Sequence, residues 1–152
     1  MAALLSRELG LNRLTFFHLF QNKISFWFAT GGAGFCLSRH LAERMRTTAA
    51  GGKFTSVADK MRLPDDVTMG YVVEHLAKVK MTTVKEFHSH LEPLRLVQNL
   101  EDQISFSYSS YGDEMNVVEV EGFSETEDPT RFKSIHCHLF PYFHWCPARS
   151  LR

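Results

Sequence analysis

Four short stretches carry residue types able to do chemistry. The first is Thr30-Gly31-Gly32-Ala33-Gly34, directly after an aromatic run. Glycines let a backbone approach a phosphate or a sugar closely, and a helix N-terminus beyond them favours negative charge. The order is not GxGxxG and no P-loop lysine follows, so on this feature alone a plain strand-to-helix turn is the favoured reading. The second is Leu63-Pro64-Asp65-Asp66 at a helix start. One Asp can cap the helix while the other faces a cleft as a base toward a hydroxyl; a doubled capping signal is an equal reading. The third is His88-Ser89-His90. In extended chain these imidazoles share a side, so both could meet one ion, or one could bind while the other packs.

The fourth is His136-Cys137-His138, closing on His144-Trp145-Cys146. Cys137 and Cys146 with two of the histidines could hold zinc, which would suit a small cytosolic module. Alternatively the two cysteines, nine positions apart, form a disulfide, which implies a secretory-pathway protein. Zinc sites usually show tighter pairs such as CxxC, so the spacing favours the disulfide. With three cysteines in all, Cys36 is left over.

Elements must position these groups. Ile24–Ala29 (ISFWFA) reads as a buried strand and Ser38 as the N-cap of a helix over Leu41, Ala42 and Met45. Residues 1–23 are a mixed stretch with a weak helical period. Phe54–Met61 reads as a short helix. Pro64 breaks the chain, and Asp65 or Asp66 caps a helix with Val67, Tyr71, Val72, His75, Leu76 and Val79 on a packed face. Met81–Val84, Gln103–Tyr108 and Met115–Val120 read as strands, and Asp128-Pro129 as the start of a last helix through Phe132 and Ile135. Interleaved strands and helices make the class α/β.

Composition bounds the function. Lys plus Arg is 17 and Asp plus Glu is 17, a balance that argues against a nucleic-acid partner, which needs uncompensated Lys and Arg. The 44% apolar content in 152 residues suits one domain with a core rather than disorder. The most apolar run, Leu14–Ala29, is interrupted by His18, Gln21, Asn22 and Lys23 and is neither a membrane span nor a secretory signal.

Taken together and in order, these stretches resemble the Fringe glycosyltransferases. The resemblance runs through Phe26-Trp27-Phe28-Ala29-Thr30-Gly31-Gly32-Ala33-Gly34-Phe35-Cys36, Arg62-Leu63-Pro64-Asp65-Asp66, Phe87-His88-Ser89-His90-Leu91-Glu92, Asp128-Pro129-Thr130-Arg131-Phe132 and the Cys137–Cys146 tail. It covers residues 26–148, leaving 1–25 without resemblance and 149–152 as a tail. It implies a GT-A-type α/β domain that moves N-acetylglucosamine from UDP-GlcNAc to the 3-hydroxyl of O-linked fucose on EGF-like repeats of Notch-type receptors. Inversion and manganese dependence are implied, as is a Golgi location behind a membrane anchor. By motif match, Asp66 is the base, Gly31, Gly32 and Asp65 lie at the donor, His90 is a manganese ligand, and Cys137 and Cys146 are a disulfide.

One departure shapes the expectation. Such enzymes hold metal and diphosphate with an Asp-x-Asp segment ahead of the glycines, and this sequence contains none. The expectation is therefore the C-terminal half of a catalytic domain, with the partner of Cys36 in the other half. The competing expectation is a non-catalytic chain that engages fucosylated EGF repeats or the intact enzyme.

The disulfide reading predicts that the purified, unreduced chain carries no stoichiometric zinc by metal analysis. One zinc per chain, released on alkylating Cys137, would select the zinc site instead.

Overall fold

The structure is a computed structural model that describes the backbone of residues 3–8, 11–17 and 23–147, and side chains over 24–147. The 149–152 tail lies outside the described residues. The chain forms two units, Met1–Lys85 and Glu86–Arg152. Among the described residues no helix is long and apolar enough to cross a membrane.

The first unit is built on one strand. Strand β3 (Lys23–Ala29) follows β1 (Ala3–Glu8) and β2 (Leu11–Phe17), and the three form an antiparallel meander in the order β1-β2-β3. Leu14 stands opposite Phe26 and Leu11 opposite Ala29. The weak helical period expected over residues 1–23 is overruled here. An extended β3 needs a neighbour for its backbone groups, and strand pairing of this kind overrides weak local preference. Along β3, Phe26 and Phe28 are buried and alternate with half-buried Trp27, the period of two that gives a strand one inner face.

The chain leaves β3 through a single 3₁₀ turn, Gly31–Ala33, and Gly34 takes φ of +82°, which suits glycine. Helix α1 (Arg39–Ala49) then starts as expected: the Ser38 hydroxyl accepts from the Leu41 N–H at 3.1 Å. Helix α2 (Lys53–Met61) ends at Arg62, whose φ is +52°. Pro64 opens α3 (Asp65–Gly70), which runs without a break into a π-helical turn, Tyr71–Leu76. There Ala77 N–H reaches back to the Val72 carbonyl at 2.8 Å.

Two apolar clusters hold these pieces. Phe26 and Phe28 pack with Met61 and Val67, and Met45 packs with Val72, Val73 and Ala77. Tyr71 meets Phe26 edge-on at 5.6 Å between ring centres. Helix and strand come close together at Gly70. A Cβ there would stand 2.4 Å from the Phe28 Cβ and 2.7 Å from the Trp27 carbonyl oxygen.

The second unit is mostly irregular chain around Leu94, Leu100, Val118 and Ile135. Its regular strands are β4 (Ser109–Tyr111) and β5 (Glu114–Asn116), paired antiparallel. Gly112, with φ of +61°, lies between them. The three strands expected over 81–84, 103–108 and 115–120 are therefore not found as such. Ser105 makes a single parallel bridge to Phe87, and β5 covers only the start of the last stretch. The apolar alternation is real but serves packing: Phe106, Val118 and Val120 join the core from residues outside any regular strand. The last helix, α4 (Phe132–Leu139), begins later than Asp128-Pro129 suggests, because Arg131 at φ of +63° separates the two.

Replacing Gly70 by Ala is expected to cost about 3 kcal/mol in chemical denaturation, because the added methyl meets backbone rather than a movable side chain. A loss under roughly 1 kcal/mol would mean that helix and strand are not in this contact.

Candidate active site

The first unit brings two of the sequence-derived groups together. Asp66 lies in the first turn of α3, and Gly31 follows β3. The Gly31 N–H donates to Asp66 Oδ2 at 3.1 Å across 35 positions of sequence. The other oxygen, Oδ1, accepts from the Val67 N–H at 2.8 Å, and Asp65 Oδ1 accepts from the Asp66 N–H at 3.0 Å. Neither Asp is the N-cap, which is Pro64; both carboxylates instead satisfy amides of the first turn, where a helix favours negative charge. Asp66 is half-buried, while Asp65, Gly31 and Gly32 are exposed. The carboxylate is thus held at the mouth of the glycine turn, within reach of solvent. A Cβ on Gly31 would rest 3.5 Å from the Asp66 Cβ, an ordinary contact, so Asp66 by itself does not demand glycine there. What the missing side chains leave is open backbone beside a fixed carboxylate.

The second unit carries the His-Ser-His segment, and its two histidines have different duties. His88 is 8% exposed and stacks on Phe106. Its Nε2 lies 2.8 Å from Gln103 Oε1 and its Nδ1 3.2 Å from Glu92 Oε2. The Gln103 amide nitrogen is committed to the Gln98 and Asn99 carbonyls, so Gln103 offers oxygen and His88 Nε2 donates. His88 is a packed residue whose two ring nitrogens each face a side-chain oxygen. His90 is half-buried, and its carbonyl rather than its ring is pinned, by Asn116 Nδ2 at 3.1 Å. Asn116 also donates to the Glu92 carbonyl and accepts from the Leu94 N–H, so one side chain shapes the whole loop. Among the described residues the ring of His90 has no hydrogen-bond partner. No three His, Cys, Asp or Glu side chains among the described residues are grouped to hold a metal ion.

The tail is closed by a Cys137–Cys146 disulfide, with Cα atoms 5.5 Å apart. Both cysteines are thereby removed as thiolate ligands for zinc. His136 is enclosed by rings, stacked on Trp145 at 4.8 Å and edge-on to Phe143 at 4.9 Å. Cys36 is free and exposed.

Three positioning contacts escape a reading by motif. Glu74, half-buried in the π-helical turn, accepts from the Trp27 N–H at 2.8 Å. Asn116 organises the His90 loop, as above. Asp128, 3% exposed, accepts from the Ser134 N–H at 2.7 Å and the Ser134 hydroxyl at 2.8 Å. Ser134 in turn accepts from the Phe123 N–H, and a Cβ on Gly122 would strike it at 2.6 Å. Arg131 donates to the Val120 and Phe123 carbonyls. For the last of these the advance signal was the Asp-Pro-Thr-Arg-Phe string, whose partners lie 6 to 11 positions away.

A family model described as Fringe-like matches residues 10–143. The chain belongs to the Fringe-like family. This Fringe-like chain is 57% identical over 131 residues to the Fringe glycosyltransferase of Drosophila melanogaster, covering 85% of the chain and 32% of that relative. It is 50% identical over 137 residues to the human beta-1,3-N-acetylglucosaminyltransferase lunatic fringe, covering 86% and 36% respectively. For the lunatic fringe of Danio rerio the figures are 50% over 129 residues, 83% and 34%. The chain spans about a third of the length of the curated relatives it matches.

Among the described residues of this Fringe-like chain, two groups are shifted from their ordinary values. Burial pushes the Asp128 carboxyl up, but the hydrogen bonds from Ser134, with Lys133 and the Arg131 charge, outweigh it and hold the value low. Burial, aided by Lys78, lowers His75. Both native states therefore bind fewer protons than the unfolded chain, and stability rises with pH through each range. Asp128 contributes stability that is full above the ordinary carboxylate value of about 3.9 and is lost as pH falls through its depressed native value. The Asp128→Asn variant is expected to lose stability at neutral pH and to show a flatter acid limb below about pH 4 in denaturation curves. An acid limb as steep as that of the unsubstituted chain would show that Asp128 is not the group responsible.

Proposed function

We propose that the protein is a glycosyltransferase that moves N-acetylglucosamine from UDP-GlcNAc to the 3-hydroxyl of O-linked fucose on EGF-like repeats, with inversion. The observation that carries this reading is the Gly31–Asp66 contact in a Fringe-like chain. It gives one oriented carboxylate beside an open glycine backbone, which is what a direct displacement needs. Asp66 is the base. Gly31 and Gly32, with Asp65, line the donor side. The acceptor hydroxyl attacks the anomeric carbon from the face opposite the diphosphate. The new oxygen–carbon bond forms as the bond to UDP breaks, and Asp66 takes the hydroxyl proton.

Manganese belongs to the proposal, with His90 as one ligand; a divalent ion would neutralise charge developing on the departing diphosphate. His90 fits that role in chemistry, since its ring is half-buried on a loop held by other residues. It supplies a single donor, so a bound ion would need further ligands. No step above runs through the ion. The GT-A architecture, a Golgi membrane location and Notch-type receptors as acceptors are proposed on the same family grounds.

In the full-length protein, Asp66→Asn is expected to lower transfer by about two to four orders of magnitude while UDP-GlcNAc binding survives. Normal turnover by that variant would remove Asp66 from the mechanism.

A further inference from the structure

Three contacts tie the helix that carries Asp66 to the strand that leads to the glycine turn. Asp66 accepts from the Gly31 N–H. Gly70 lies against Phe28 so closely that a methyl group would collide. Glu74 Oε2 accepts from the Trp27 N–H at 2.8 Å, and its Oε1 faces the Met81 N–H at 3.4 Å. Positions 66, 70 and 74 recur every four residues, so they stand on one side of α3 and its π-helical continuation. Their partners descend β3 in the opposite direction, from Gly31 through Phe28 to Trp27.

We infer that Glu74 is a positioning residue that sets the register of the Asp66 helix along β3, and so holds Asp66 at Gly31. The apolar clusters around Phe26 and Val72 resist separation of helix and strand, but apolar contact is not directional and tolerates sliding. A carboxylate bonded to backbone amides of two different segments is directional. The Gly31–Asp66 bond is 3.1 Å, so a slide of about half an ångström takes it outside hydrogen-bond range. Glu74 sits in a π-helical turn, a form whose wider ladder is uncommon and recurs beside functional sites. The role is specific to Glu74: a side chain without an acceptor oxygen leaves the Trp27 N–H without that bond and the helix free to shift. The inference concerns geometry, and it gains its functional meaning from the reading of Asp66 as the base.

Amide hydrogen exchange by NMR on the chain itself tests it without any activity assay. In Glu74→Ala, the Trp27 and Gly31 amides are both expected to exchange roughly tenfold faster, with the α1 amide of Ala42 unchanged. Glu74→Gln keeps an acceptor oxygen and is expected to restore both. Faster exchange at Trp27 with Gly31 unaffected would make Glu74 a local cap, and a uniform rise across the unit would make it a general stabiliser; either overturns the inference. Should Glu74→Ala fail to fold, the glutamine variant decides: Gly31 protection within about threefold of the unsubstituted chain supports the positioning role, and its loss refutes it. Transfer assays that clear Asp66 of catalysis would leave this exchange pattern standing, so the two ideas fail separately.

Discussion

The seating of α3 on β3 is the constraint on which the first unit depends. A helix can come this near a strand backbone only where it has no side chain, and Gly70 supplies that point: a Cβ would lie 2.8 Å from the Phe28 Cα. Closeness at Gly70 brings the first turn of α3 to the end of β3, where the glycine turn begins. Asp66 and Gly31 then meet although neither element contains both. The carboxylate needs no charged neighbour to hold it, because backbone amides on two sides fix its oxygens. This is a rigid way to place an acid beside a ligand-accessible backbone.

The second unit solves a different problem. It has little regular structure, so side chains do the work that ladders do elsewhere. Asn116 binds the carbonyls of His90 and Glu92 and the amide of Leu94. Asp128, Ser134 and Arg131 form a buried polar knot that sets where α4 starts. The disulfide then ties the far side of α4 to the tail, and in the chain-entropy model a loop of this size contributes about 2.5–3 kcal/mol. His88 belongs to this framework, which leaves its neighbour His90 on a braced loop. Of the two imidazoles, that of His88 is packed and bonded inside the unit.

Much of the first unit was legible from sequence because its signals are local. The aromatic run of β3, the Ser38 cap and the short α2 need no distant partner to be recognised. The β1-β2 hairpin was not legible, since its own residues favour no state strongly and it is extended because β3 is. In the second unit, β-branched and aromatic alternation suggested strands, yet residues such as Val118 are buried from irregular chain. Alternation reports a buried face, and a strand needs an edge as well. The site residues themselves were named from motifs, whereas Glu74 was not: a glutamate in a helix reads as solvated, and its partner Trp27 lies 47 positions away. Distance also hid Asn116, whose partners His90, Glu92 and Leu94 lie 22 to 26 positions away.

The account turns on Asp66 being the group that faces the acceptor hydroxyl. The most direct measurement is a structure of the full-length protein with a non-transferable UDP-GlcNAc analogue and an O-fucosylated EGF repeat. The fucose 3-oxygen is expected within about 2.6–3.2 Å of the Asp66 carboxylate, with the donor against Gly31 and Gly32. A fucose 3-hydroxyl bonded to a different carboxylate, with Asp66 turned to the protein alone, would contradict it.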